Sequence, residues 1–534
     1  MRGVDAGPLD RRLFPISEDR GASEHLVAHS LSGKPRKNKV SYGVVGLAPK
    51  ILYKIHNQNQ QSMVRGMLER LFYVKRDGVF VRPPRPRKGI YHERLGYLAE
   101  RISCSVSKTT PIAREDFPGL YEGRRRTVYE SALKSLYVTP VSARDAKIKA
   151  FGKVEKINFS AKPDPAPRMI YPRSPRYNLE VGRYIKPLEP RLCKAVASVF
   201  GGVTITKGLT AEGVGDLIHT KWSKFCDPVA VGLDASRFDQ HVSQEALSWE
   251  HSLYARCFKN PGPLQRLLRM QLVNRGHWRL PDGYGHFSVQ GGRMSGDMNT
   301  GLGNCIIASC LVKAYCDAKN IQFELVNNGD DCVVIMQRSS LSCFNKGLDE
   351  WFLEMGFNMV VELPVYHIEH IRFCQAAPVF DGECWVMVRD PHTSLAKDCV
   401  SLRSLSTESE YKQWIKAVGL AGGAMAGGIP VVAAFYQRLV DAGGDIDLGG
   451  IYQSPQFETG MMMLARGMTR RGRIVTDDAR LSFWRAFGIT PDQQVDIEAH
   501  LATVDISYYD DQGEFGEYLP TDFTPIWFPP SLAA

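Results

Sequence analysis

Between Phe323 and Ile335 the chain runs apolar from Phe323 to Val326, turn-prone over Asn327-Asn328-Gly329, acidic at Asp330-Asp331, and β-branched again from Cys332 to Ile335. Two short apolar runs around Asn, Gly and Asp predict a β-hairpin with acids at its bend. A third apolar run, from Val229 to Leu233, predicts a strand ending at Asp234, with Asp239 five positions further on. The amphipathic run Gln244 to Phe258 predicts a helix, as does the mostly uncharged Met298 to Tyr315 behind the Gly-rich turn at Gly291-Gly292-Arg293-Met294-Ser295-Gly296. Helical patterns return after about residue 386 and include Asp478 to Phe487. Ala417 to Tyr436 carries no charge, but its five glycines and Pro430 dilute the apolar character that a membrane span requires, so packed helices are expected there.

Charge adds a partner to this pattern. The 534-residue chain has a formal net charge of +10, which favours a polyanion, and nucleic acid is the economical choice. From Lys162 to Lys194 eight Lys or Arg face three Asp or Glu, and Pro163, Pro165, Pro167, Pro172 and Pro175 stiffen the first part. Prolines hold such a segment extended, so its cations project at fixed positions and suit a triphosphate better than a mobile cloud does. The twelve cysteines include no Cys-x-x-Cys pair, which argues against a disulfide framework or a zinc site. No secretory signal is expected at the N-terminus.

The acids suggest the chemistry. Adjacent carboxylates repel, and a turn that presents two of them has a cation to receive. With Asp234 on a neighbouring strand, Asp234, Asp330 and Asp331 can complete a two-metal site of the kind that transfers nucleotides. The bland alternatives are a solvated hairpin turn for Asp330-Asp331 and a helix-capping acid for Asp239. Thr300 and Asn304, one turn apart on a buried helix, must find polar partners.

Taken in order, Gly232-Leu-Asp-Ala-Ser-Arg-Phe-Asp-Gln-His-Val242, Arg293-Met-Ser-Gly-Asp-Met-Asn-Thr300 and Asn327-Asn-Gly-Asp-Asp-Cys-Val-Val334 resemble motifs A, B and C of viral RNA-dependent RNA polymerases, in particular the tombus-, carmo- and umbravirus replicases. Lys156 to Arg168, Val181 to Glu189 and Phe373 to Val379 also look like that family, and the resemblance runs from about residue 55 to about residue 500.

The resemblance implies an α+β right-hand polymerase whose palm is an antiparallel sheet backed by helices. A flexible basic segment is expected over 1–40, fingers over 41–230 with motif F near 156–176, the palm over 231–385 with a fingers insertion near 260–290, the thumb over 386–504, and an acidic aromatic tail over 505–534. It implies Asp234, Asp330 and Asp331 as catalytic metal ligands for Mg2+, with Mn2+ as a substitute. Asp239, Ser295, Thr300 and Asn304 would meet the nucleotide and its 2′-hydroxyl, and Lys162, Arg168 and Arg173 its triphosphate. Phe373, Cys374 and Gln375 would hold the primer or product strand. Template and product RNA and ribonucleoside triphosphates are the expected partners. An upstream viral replication protein would bring the chain to membrane-associated complexes in the host cytoplasm, since this chain shows no transmembrane segment. The aromatic tail is a candidate plug or initiation platform. Two other classes fit the sequence less well: a reverse transcriptase, disfavoured by Asn328-Gly329 before the paired acids, and an RNA-binding scaffold, disfavoured because every expected carboxylate is present.

Overall fold

The computed structural model describes residues 3–35, 37–38, 41–42, 51–402, 405–449, 461 and 465–506. Residues 507–534, most of the expected tail, lie outside them. Helices and sheets are mixed along the chain. The strands that position the site are β1 (His25–Ser30), β2 (Ile148–Lys149), β3 (Pro228–Ala235), β4 (Val273–Leu280), β5 (Gly283–Gln290), β6 (Phe323–Asn328), β7 (Asp331–Gln337), β8 (Met359–Val361), β9 (Ala376–Phe380) and β10 (Trp385–Arg389). Four helices matter most: α1 (Ile90–Cys104), α2 (Pro175–Phe200), α3 (Gln244–Arg256) and α4 (Thr300–Ala318).

The central sheet has the order β6-β7-β3-β8, with β7 antiparallel to both β6 and β3. Val229, Ala230, Val231 and Leu233 of β3 and Cys332 to Met336 of β7 are all buried, because other layers cover both faces of these strands. One cover is α4, buried from Leu302 to Val312, which packs against β6, α1 and α3 within a core running from Ile90 to Phe357. This is why the helix carries almost no charge.

The insertion near 260–290 forms a helix over Gly262–Arg269 and the hairpin β4-β5, which joins a second sheet ordered β1-β5-β4-β2. The first forty residues therefore do not stand wholly outside the fold, as their composition suggests. His25–Ser30 is buried over its first three residues, Leu26 joins the buried cluster with Trp278 and Phe287, and the strand pairs with β5 along its whole length.

A separate core gathers residues 377 to 506, mostly helices. In the uncharged stretch, Glu408–Ala426 packs on Val432–Gly443 at glycine contacts: a Cβ on Gly419 would sit 2.6 Å from the Tyr436 carbonyl. No helix among the described residues is long and apolar enough to cross a membrane. The fully buried Arg470 ties this core to the rest, binding Asp381 at 2.5 Å in the β9-β10 turn and Glu212 at 2.6 Å on the helix Ala211–Trp222. Burial works against the Asp381 charge, but backbone N–H groups and Arg470 outweigh it and hold the carboxyl down at about 2.

Candidate active site

The hairpin forms as the two apolar runs around the turn residues predict. Asn328 pairs with Asp331, so Gly329 and Asp330 make a two-residue turn, and Gly329 takes φ +87° while Asp330 stays at negative φ. Glycine alone at the first turn position is the type II′ pattern, whose twist matches the strands it joins. Asp331 opens β7 directly opposite Asp234 near the end of β3. Cross-strand partners share a face, so the two carboxylates point the same way, with Asp330 beside them in the turn. All three residues are exposed at the edge of a buried sheet.

This crowding has an electrostatic signature. Partial burial and Asp330 raise the Asp234 carboxyl above its ordinary value, against the opposing pull of Lys162. Burial, Asp330 and Asp234 also raise Asp331, offset in part by a hydrogen bond with Cys374. A fourth acid, Glu362, follows β8 and lies over Gly232, where a Cβ would strike its carboxylate. It is raised by burial and by Asp234 and Asp331. Among the described residues, no three metal-capable side chains are drawn together tightly enough to form a finished metal cage. The donor set nevertheless fits a hard divalent cation, since every donor is a carboxylate oxygen and mutual repulsion is what such an ion relieves.

Beside the acids lies a buried polar chain. After β3, Arg237 turns the backbone at φ +54° and leads into the short helix Phe238–His241 that carries Asp239. Asp239 accepts from Asn304 Nδ2 at 2.7 Å, and Asn304 Oδ1 accepts from Arg293 Nε at 3.0 Å. Arg293 pairs with the wholly buried Glu250 of α3, which also accepts from Asn299 Nδ2 at 2.9 Å. Burial opposes the Glu250 charge, yet Arg293 wins and keeps the carboxyl below its usual range. Asp239 is raised by burial despite Asn304 and Arg293. The alternative of a cap for α3 does not hold, because Ser243 caps that helix by accepting from Ala246 N. The Asp239 side chain is aimed at α4, with Asn304 fixed in one orientation beside it.

Ser295 and Thr300 are held by backbone groups. Ser295 Oγ accepts from Tyr171 N at 3.2 Å, and Thr300 Oγ1 donates to Met294 O at 2.8 Å, so both shape the turn before α4. The cations divide. Lys162 and Arg168 are exposed and act electrostatically on Asp234 and Asp239, respectively, with Arg168 also 3.2 Å from Glu155. Arg173 does not reach the cleft. It is buried against Asp297, donates to Ala146 O at 2.7 Å and to Asn274 Oδ1 at 2.5 Å, and so has no free edge for a triphosphate.

Residues 27–508 match a family model described as viral RNA dependent RNA polymerase. The chain belongs to the viral RNA-dependent RNA polymerase family. It is 43% identical over 473 residues to the RNA-directed RNA polymerase of carnation mottle virus, covering 89% of this chain and 61% of that protein. The tobacco necrosis virus (strain A) protein of the same name is 42% identical over 518 residues, covering 97% of this chain and 70% of the relative. That of turnip crinkle virus is 40% identical over 509 residues, covering 94% and 64%. The chain thus spans between 61% and 70% of the length of these relatives.

The stretch Phe373-Cys374-Gln375 of this polymerase-family chain has an unusual backbone. Phe373 bridges to Ala376, and the two residues between them both take positive φ, +51° and +63°. That is a type I′ turn built without glycine, a conformation other residues adopt at a cost of about 1 kcal/mol or more each. It brings Cys374 Sγ within 3.3 Å of Asn328 Nδ2 and into a hydrogen bond with the Asp331 carboxylate. Burial pushes this thiol up to about 12, so it meets Asp331 as a proton donor.

Three contributors were assigned no role from the sequence: Glu250 and Glu362, which lie outside the motifs, and Arg293, which opens the second of them. Glu250 does leave a trace, as the one acid spaced three or four residues from Ala246, Leu247, Leu253 and Tyr254 on the apolar face of α3.

Proposed function

We propose that this chain is the polymerase body of a viral replicase, transferring ribonucleotides to an RNA 3′ end under the direction of an RNA template and so copying a positive-strand genome. The observation that carries the proposal is Asp234 opposite Asp331 with Asp330 in the glycine-started turn between strands. In this reading the central sheet with α3 and α4 is the palm (231–385), the second sheet and residues 41–230 belong to the fingers, and the helical core beyond residue 386 is the thumb. The separate cores running from Ile90 to Phe357 and from residue 377 to 506 support the boundary between palm and thumb, and the first of them joins residues on both sides of position 230.

Asp234, Asp330 and Asp331 would hold Mg2+, or Mn2+ in its place. Bound there, such ions supply acidification of the attacking 3′-hydroxyl and neutralisation of the leaving pyrophosphate. Asp239 and Asn304 form a fixed acceptor and amide pair for the ribose 2′-hydroxyl, and Arg293 and Glu250 keep Asn304 from rotating. Lys162 and Arg168 add positive charge over the acids, where the triphosphate would lie. The strained turn at Cys374 and Gln375 joins the strand that would hold the product to the acids themselves. The greater length of the relatives supports an additional viral segment, or an upstream replication protein, that brings the polymerase to membranes in the host cytoplasm.

The test is nucleotide incorporation by the purified chain on a short RNA with magnesium. Asp330→Asn should lower incorporation at least about a thousand-fold, the scale for removing a group that acts on the reacting charge, while RNA affinity stays near wild type. Substantial magnesium-dependent activity in that variant would overturn the assignment. Preference for deoxynucleotides would favour a reverse transcriptase, and inactivity of the wild-type chain a scaffold.

A further inference from the structure

The sheet β1-β5-β4-β2 has a second face that the catalytic reading does not use. Trp278, Phe287 and Leu26 point inward to the core, and of the alternate positions His29, Tyr284, His286, His277, Lys149, Arg275 and Arg279 reach the surface, while His25, Val27 and Ser288 are covered. Register places them in rows across the strands. Lys149 lies beside His277, which pairs with His286 and through it with the buried Val27; Arg279 pairs with Tyr284, which pairs with His29; Arg275 is exposed at the end where its row partners Ser288 and His25 are buried.

Four rings form a continuous path over three strands. His29 and Tyr284 have centroids 4.8 Å apart, Tyr284 and His286 6.3 Å, and His286 and His277 6.4 Å. Lys149, Arg275 and Arg279 are exposed around this path. No Asp or Glu stands among the paired positions of the face. The acids next to it are engaged elsewhere: Glu24 with Arg85 at 2.5 Å, and Asp282 with Gln60 N at 2.9 Å. Burial with Lys149 and Lys147 holds His277 below the ordinary histidine value, and burial with Arg20 and the neighbouring histidines does the same for His286. Both rings are therefore neutral at pH 7 and offer flat faces without extra charge.

We infer that this outward face binds single-stranded RNA, with the four rings stacking on bases and Lys149, Arg275 and Arg279 contacting phosphates. A ring path flanked by cations and free of carboxylates is the combination that holds single strands without reading sequence. The strand bound here lies on the side of the sheet opposite its core, outside the cleft of Asp234, Asp330 and Asp331, so it is a flanking stretch of a long RNA. RNA as the partner rests on the proposed function, but the test reads binding rather than synthesis and separates the two.

The experiment compares a long single-stranded RNA of about sixty nucleotides with a short one of about ten, which fills little more than one site of this type. Anisotropy is measured with the full chain, without nucleotides, over a series of salt concentrations. The triple variant K149Q/R275Q/R279Q should bind the long strand about tenfold more weakly, with the salt slope reduced by about two for three lost phosphate contacts. Y284A/H286A should also lose about tenfold, with the slope unchanged, because it removes stacking alone. Both variants should bind the short RNA, and extend it, as the wild type does. Wild-type affinity for the long strand in both variants overturns the proposal. So does a loss confined to phosphatidylserine vesicles, which would make the face a lipid surface. Loss of short-template activity in either variant overturns it too, by placing the face in the cleft. If instead Asp330→Asn proves active while the sheet variants lose long-RNA binding, the catalytic reading fails and this one stands.

Discussion

Gly303 offers a quantitative test of how the Asp239–Asn304 pair is held. It lies inside α4, where replacing glycine by alanine ordinarily stabilises a helix by about 1 kcal/mol. Here a Cβ would sit 2.5 Å from Arg293 Nη2 and closer still to Glu250 Oε1, well inside any distance a real Cβ tolerates. Both partners are wholly buried, so neither can swing out into water. Parting a buried ion pair costs about 3–5 kcal/mol, because each charge is left uncompensated. After the helix gain is subtracted, Gly303→Ala should lose roughly 2–4 kcal/mol, seen as a thermal midpoint lower by several degrees. Gly96 in α1 is the control: nothing lies within 4 Å of its added Cβ, so Gly96→Ala should be neutral or stabilising. A second readout is chemical. With Arg293 displaced, Asn304 loses the donor that fixes its oxygen, and discrimination against deoxynucleotides should relax. A Gly303→Ala chain that melts at or above the wild-type midpoint and keeps its sugar selectivity would refute the reasoning.

Three further outcomes follow from the same geometry. Asp239→Ala or Asn304→Ala should relax ribose selectivity more than it weakens RNA binding, which paired incorporation and binding titrations will resolve. Cys374→Ala removes the proton donor to Asp331 and the contact with Asn328; kcat should fall several-fold with little change in RNA affinity, whereas an unchanged kcat would leave the strained turn without this role. Asp381 is held below its unfolded value, so its stabilising contribution is present above the ordinary aspartate range and is lost as pH falls toward 2. Asp381→Asn should therefore melt earlier than wild type at pH 7, with the gap closing on acidification, and a gap independent of pH would contradict the assignment.

How much of this could be read from the sequence depended on the range of the interaction. The hairpin was legible because two apolar runs, Asn-Asn-Gly and the acids lie within fifteen residues, and local turn chemistry decides such a structure. Order along the chain then placed Asp234 beside it. Arg173 was misread for the opposite reason: composition counts a cation, but its carboxylate stands 124 residues away. The support of Asn304 by Arg293 and Glu250 was invisible in the same way, with 43 residues between the two ends of the ion pair. The strand β1 was hidden by surrounding Gly, Ser and charged residues that outweigh its three apolar positions, Leu26 to Ala28. The left-handed backbone at Cys374 and Gln375 could not be anticipated, since neither residue type prefers it.

The engagement of Arg173 has a consequence for how this protein can change over generations. One guanidinium, sealed from water, joins the segment before α2, the start of β4 and the turn before α4. Loss of Asp297 alone would strand a charge in the interior, and loss of Arg173 alone would strand its partner. The two codons, more than a hundred triplets apart, therefore behave as a single heritable character. Either substitution should be purged by itself, and a paired exchange for neutral residues of similar volume should survive where neither parent does.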